Sequence, residues 1–125
     1  MVKSIISILC VAIILIAGAI YENTFITDQF EEFDNLLVVL YDKIEDESAT
    51  KEDVLSVQKN WVEKKRYFHI FIPHNEIKEI DLWLSETVVL VEREKWDDSL
   101  SKVEVLRELA EQTPKTFKLH IENIL

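Results

Sequence analysis

Glycine, proline and cysteine are almost missing from this chain: its 125 residues include one glycine, two prolines and one cysteine. Sheet hairpins draw on Asn-Gly, Asp-Gly and Gly-X turns, and the one glycine, Gly18, lies inside an apolar run, so no hairpin chemistry is on offer. A lone Cys10 forms no internal disulfide, so the fold has to be held by its core. Basic residues are scarce too, 14 against 24 acidic ones, a formal net charge of −10. Such a surface repels phosphate backbones, which argues against a nucleic-acid partner and leaves solubility, a basic peptide or a divalent cation as uses for the charge. There is no G-x-S-x-G, no glycine-rich phosphate loop and no cysteine beyond the apolar run. Neither an enzyme nor a cofactor is expected.

What is present begins with 18 residues free of charge, Ser4 to Tyr21. As a helix they cover about 27 Å, close to the hydrocarbon thickness of a bilayer. A cleaved signal peptide is the competing reading, since Ala17-Gly18-Ala19 supplies a small-residue cut site. The continuation favours an anchor. Ile26, Phe30, Phe33, Leu37, Leu40 and Ile44 recur at steps of four and three, so an amphipathic helix starts where the apolar run stops, with no breaker between them. Lys3 precedes the run while Glu22, Asp28, Glu31, Glu32 and Asp34 follow it, which predicts a cytoplasmic N-terminus and an extracytoplasmic C-terminal domain at the cell membrane. Two regions result, an anchor over 1–21 and a helical domain over 22–125. The second holds 24 acidic and 13 basic residues, a formal charge of −11, and is long enough for one core.

The pattern predicts an all-α fold, a transmembrane helix followed by an antiparallel bundle of about four helices. Helix A should run to about Asp46. Thr50-Lys51-Glu52-Asp53 reads as a capping box opening helix B, whose face is Val54, Val57, Trp61, Phe68 and Ile72. Pro73 stops or kinks it. Helix C carries Ile77, Ile80, Leu84, Val88 and Val91 to about Trp96. Ser101-Lys102-Val103-Glu104 reads as a second capping box opening helix D, which Pro114 ends, and the apolar tail Thr116–Leu125 should dock through Phe117, Leu119, Ile121 and Ile124. A shift of 51 residues lays SATKEDVL over SLSKVEVL and suggests two related hairpins; the plainer explanation of the match is a shared helical period. The alternative to a bundle is a parallel coiled coil of helix A with Asn23 at a seam position.

Few residues carry chemistry. His69, His74 and His120 lack the spacing of a zinc site, and His74 with Glu76 would need His120 folded back to form one, so no metal is expected. Trp61 lies on the apolar face of helix B and reads as core; Trp96 reads as the edge of a core. Val38, Val39, Leu82, Trp83, Val89 and Leu90 lie off the stripes of helices A and C. A helix that is apolar beyond one face is covered by something, which makes Trp83, Leu90, Val38 and Val39 the candidate partner-binding residues; the docked tail is the alternative cover.

The apolar N-terminal run, Trp61-x-x-Lys64, Ile72-Pro73-His74-Asn75-Glu76-Ile77, Trp96-Asp97-Asp98 and the closing Glu122-Asn123-Ile124-Leu125 occur in this order along almost the whole chain. Together they resemble a family of short bacterial single-pass membrane proteins known as domain of unknown function 4363. Pro73 departs from the acidic residue that relatives carry before the histidine, so the middle helix is either continuous or broken there. The resemblance implies no established activity, and it implies company with a multi-pass membrane protein. The function expected is that of a membrane-anchored extracytoplasmic accessory or interaction protein, partnered by the lipid bilayer and by a multi-pass protein or further copies of itself. A ligand- or cation-binding sensor ectodomain is the alternative.

Overall fold

The computed structural model describes residues 1–70 and 72–124, with side chains described as far as Lys115. Four helices follow in chain order: α1 (Val2–Glu45), α2 (Lys51–Phe68), α3 (His74–Glu92) and α4 (Trp96–Ile124), with no strand among the described residues. They form an antiparallel bundle in which each helix packs on its neighbour in sequence and α4 closes the ring on α1. The six apolar residues at three-and-four spacing on α1, Ile26 to Ile44, are all buried in this one chain's core, so the coiled-coil alternative is not what the stripe serves.

α1 is a single helix of 44 residues, and its two halves meet different surroundings. Its first 20 residues touch little else, with Ile5, Leu9, Ile13 and Ile16 all more than half exposed, whereas from Ile26 onward it supplies a core strip. By length and composition this helix is apolar enough to cross a membrane. No residue between Ala19 and Asp28 interrupts the backbone hydrogen bonding, so the apolar segment and the bundle share one rigid axis.

The core centres on Trp61. Its ring lies 5.1 Å from Phe33, 6.0 Å from Phe30 and 5.9 Å from Phe68, while Phe30 and Phe68 stack at 4.7 Å. Its indole Nε1 donates to Asp81 Oδ1 at 2.7 Å, so the polar edge of a buried ring finds a partner on α3. Trp96 packs against the edge of the same core, as the sequence suggests.

The Thr50 capping box forms in full: Asp53 N–H donates to Thr50 Oγ1 and Thr50 N–H donates to Asp53 Oδ2 at 2.8 Å. The chain breaks at Pro73, settling the choice between one middle helix and two. α2 stops at Phe68, and the Pro73 carbonyl accepts from Glu76 and Ile77 to start α3, a position where the missing proline N–H has no helical partner to lose.

Four boundaries differ from the sequence reading. α2 ends at Phe68, so Ile72 joins the core from the turn before Pro73 and not from the face of α2. α3 ends at Glu92 rather than near Trp96, because Glu94 takes a left-handed conformation (φ 55°) and closes a Schellman turn, with Lys95 N–H on Leu90 O and Glu94 N–H on Val91 O. α4 therefore opens at Trp96 rather than at Ser101; the Ser101 hydroxyl bonds back to Asp97 O inside the helix instead of capping it. Asp97 and Asp98 stand in the first turn, where the helix dipole favours negative charge. Pro114 does not end α4, which continues through it to Ile124. Thr113 and Pro114 are both buried, so packing offsets the hydrogen bond that proline cannot make. The tail is thus the end of α4; the side chains of Phe117, Leu119, Ile121 and Ile124 lie outside the described residues.

Register between the halves also changes. For α1 on α3, a shift of 51 residues sets buried Phe30 and Leu37 on half-buried Asp81 and Val88. A shift of 47 lays the buried Phe30, Phe33, Leu37, Leu40 and Ile44 on the buried Ile77, Ile80, Leu84, Thr87 and Val91. It also lays Glu47, the left-handed residue of the α1–α2 turn (φ 56°), on Glu94, and Ser48 N–H on Lys43 O repeats the Lys95 N–H bond.

Two stability outcomes follow. Trp61→Ala should lower the stability of the full chain in detergent by about 3 to 5 kcal/mol, read by chemical denaturation, because it opens a cavity and leaves Asp81 without its indole donor. Glu94→Gly should raise stability by about 0.5 to 1 kcal/mol, since left-handed backbone costs a side-chain-bearing residue about 1 to 2 kcal/mol and glycine returns part of that as lost chain entropy.

Candidate functional site

Three features qualify as places where this bundle meets something else. The first is a groove of about 910 Å³ along the seam of α1 and α4, where Asn23, Thr27, Phe30 and Asp34 face Arg107, Ala110, Glu111 and Pro114. Arg107 Nε pairs with Asp34 at 3.1 Å and Lys115 with Glu111 at 3.1 Å. Glu31, Glu104 and Glu108 also line it, so the groove is acidic on balance. Asn23 Oδ1 is buried there and accepts no hydrogen bond from the described residues. Asn23 belongs to this seam within one chain rather than to a seam between chains.

The second is a polar pocket of about 440 Å³ between α1 and α2, lined by Gln29, Glu32, Asn60, Lys64 and Tyr67 among others. Lys64 is 6 % exposed, and its ammonium donates to Gln29 Oε1 at 2.8 Å and pairs with Glu32 Oε2 at 3.2 Å. A buried cation with two partners gives register more than stability, because desolvation offsets most of the attraction. Lys64 fills a core position that a polar residue masks in the sequence, although the spacing signals it: Val54, Val57, Trp61, Lys64 and Phe68 keep the three-and-four step without a gap. Asp81, which binds both Trp61 and Lys65, gave no such signal.

The third is an exposed aliphatic face across α2 and α3. Gln58 Nε2 donates to Ser85 Oγ at 3.4 Å, and this rung is flanked on one side by Leu55 and Val89 and on the other by Val62 and Leu82, all four exposed. Helical spacing sets the pairs: Leu55 and Val62 stand one turn either way from Gln58, as Leu82 and Val89 do from Ser85.

The residues picked out by sequence do not converge. Trp83 is half-buried against the core with Lys102 Nζ 4.3 Å above its ring, on the α3–α4 side. Leu90 is half-buried. Val38 is half-buried and lies between Asp34 and Tyr41, which reach Arg107 and Glu104 on α4. Val39 is exposed. Of the surplus apolar residues, Leu82 and Val89 are the two that join a common surface with partners from another helix. α4 does not fold back over them, since beyond Pro114 it heads past Asn23 and Thr27 at the other end of the bundle.

His69 and His74 stack at 6.3 Å across the α2–α3 turn. The His120 side chain lies outside the described residues, and no group of histidine, cysteine, aspartate and glutamate among the described residues is arranged to hold a metal ion.

Two carboxylates are shifted in opposite directions. Asp53 is held below the usual carboxylate range, chiefly by the Thr50 backbone N–H, with burial opposing and Lys43 assisting. Glu76 is pushed above it, first by burial and then by the nearby Glu79 carboxylate, and its Oε2 has no hydrogen-bond partner among the described residues.

The described residues define a class of protein by architecture, a four-helix bundle whose first helix is long and apolar enough to cross a membrane. The family profile described as domain of unknown function (DUF4363) matches residues 20–124, and the chain belongs to that family. None of the curated proteins matches it, and none of the solved structures does.

Glu76 generates a pH-dependent outcome. A folded pKa raised above the unfolded value contributes stability that is present below the unfolded pKa and is lost as pH rises through the folded one. Glu76→Gln should therefore melt higher than the native chain at neutral pH, and the difference should shrink as pH falls into the carboxylate range.

Proposed function

We propose that the protein is a membrane-anchored accessory protein whose helical domain holds a multi-pass membrane partner, with α1 in the bilayer, the N-terminus cytoplasmic and the bundle outside. The observation that carries this is the continuity of α1. A helix that is uncharged over Ser4 to Tyr21 and then becomes the core strip of a bundle would hold that bundle at a fixed height and rotation above a membrane it crosses. Lys3 before the apolar run and the acidic residues after it support the orientation. The α2–α3 face with Leu55, Val62, Leu82 and Val89 supplies the contact surface, rising beside α1 where a neighbour in the same membrane would stand. Its function is recognition rather than catalysis.

The acidic α1–α4 groove favours a second reading, a sensor for a small solute or cation, through Asn23 Oδ1, which has no hydrogen-bond partner among the described residues. A rise in melting temperature with added calcium or with a cationic solute would favour that reading over the first.

The accessory reading is tested by cross-linking in native membranes. Leu82→Glu combined with Val89→Glu should abolish the adduct while the circular dichroism spectrum and melting temperature stay near those of the native chain. An adduct at the mass of two copies identifies homo-oligomerisation instead, and an adduct that survives the double change removes this face from the reading. Added protease should digest the bundle from outside intact cells, and a mature N-terminus near Ile20 would overturn the anchor.

A further inference from the structure

The bundle has one end close to the apolar half of α1, and the chain's charge is distributed unevenly along that axis. The far end collects acids: Glu45, Asp46, Glu47, Glu52 and Asp53 at the α1–α2 turn, and Glu92, Glu94, Asp97 and Asp98 at the α3–α4 turn. In a domain with 24 acidic residues, the longest stretch without one is residues 64–75, Lys-Lys-Arg-Tyr-Phe-His-Ile-Phe-Ile-Pro-His-Asn. Its described residues, 64–70 and 72–75, are the end of α2, the α2–α3 turn and the start of α3, and they lie at the end nearest the apolar run.

Its height can be read from contacts with α1. Lys64 reaches Gln29, and the Tyr67 ring meets Phe25 edge-on at 6.3 Å between centroids. Phe25 is four residues past Tyr21, the last residue of the uncharged run, so Tyr67 stands about 6 Å beyond the end of that run. The head-group layer on each side of a bilayer is about 5 to 8 Å thick, the difference between a hydrocarbon core of about 30 Å and a total of about 40 to 45 Å. α2 runs toward the membrane, so Ile70 comes lower still. Yet the side chains here are not those of a surface in water: Ile70 is 84 % exposed and Tyr67 is 63 % exposed. Lys64 and Lys65 are engaged by Glu32 and Asp81, whereas exposed Arg66 has no ion pair among the described residues.

We propose that the α2–α3 turn is a second membrane-contact site: Ile70 enters the acyl boundary, Tyr67 lies at head-group level, and Arg66 pairs with lipid phosphate. The bundle thus sits on the bilayer at two points, α1 and this turn, which fixes its tilt and the direction in which the α2–α3 face looks. Tyrosine suits an interface that is apolar on one side and wet on the other, and arginine binds phosphate through a planar fork of donors. The lipid surface is the occupant because α1 delivers it to this end of the bundle. The inference rests on the anchor reading of α1, and the test separates the two.

The full chain is reconstituted in phosphatidylcholine vesicles with about one quarter phosphatidylglycerol, a composition that supplies anionic phosphate. An environment-sensitive fluorophore is placed on native Cys10, or, in a Cys10→Ser background, on Ile70→Cys or Val39→Cys. Quenching is then measured with lipids carrying a nitroxide at the head group or at mid-chain. Mid-chain quenching at Cys10 reports that α1 is inserted. The expected result is head-group quenching at position 70 greater than at position 39 by about twofold or more, as depth-dependent contact requires, and reduced by Arg66→Glu. Quenching at Cys10 with position 70 no more quenched than 39 overturns the contact site and leaves the anchor standing. Equal strong quenching at 70 and 39 describes a bundle lying on its side and overturns the proposed pose. Quenching at 70 that ignores Arg66→Glu overturns the phosphate contact, and absence of quenching at Cys10 overturns the anchor and this inference together.

Discussion

Everything in this molecule depends on α1 keeping one helical axis through two different side-chain patterns. From Ser4 to Tyr21 it is uncharged and mostly apolar in every direction, a pattern that suits a lipid surrounding; from Ile26 it is apolar on one stripe, as a protein core requires. The change takes place without glycine, proline or turn. Because α1 also carries Phe30 and Phe33 into contact with Trp61, the bundle's core and the apolar segment are parts of one stiff rod. Helices α2 and α4 run antiparallel to it, so the α2–α3 turn and the C-terminal part of α4 both return to the end of the bundle where the apolar run stops.

The scarcity of glycine shapes the opposite end. Both turns there need a left-handed residue, and both use glutamate, Glu47 and Glu94. Each accepts backbone strain that glycine would relieve, and each presents a carboxylate to solvent beside other acids. The far end is in consequence tightly closed and strongly negative. The Schellman turns match and the buried positions of α1 and α3 correspond at 47 residues, but the same shift sets buried Val54, Val57 and Trp61 on exposed Ser101, Glu104 and Glu108, so the likeness does not extend to α2 and α4.

Polar groups inside the bundle select its register. Asp81 binds Trp61 Nε1 and Lys65, and Lys64 binds Gln29 and Glu32, so α2 is pinned to α3 on one side and to α1 on the other. Sliding either helix by one turn would strand a buried cation or an indole N–H, at about 1 to 3 kcal/mol for each unsatisfied group. An all-aliphatic seam carries no such penalty. The exposed aliphatic pairs beside Gln58 and Ser85 are left on the outside by the same register.

The sequence by itself determined the helical class, the membrane-length run, the core stripe of α1, the Thr50 cap and the core role of Trp61, because each is local: a period, a length or a spacing of a few residues. It determined less about ends. Ser101 has the residues of a capping box and is no cap, since a three-residue Schellman turn at Glu94 had already allowed α4 to start at Trp96. Pro114 has the chemistry of a terminator and is instead buried in a seam whose packing carries the helix past it. Which surplus apolar residues form a surface was likewise a tertiary decision. Trp83 and Leu82 are adjacent in the chain, yet Lys102 from α4 covers the one and nothing among the described residues covers the other, because a helix turns 100° per residue and only its neighbours decide what each side meets.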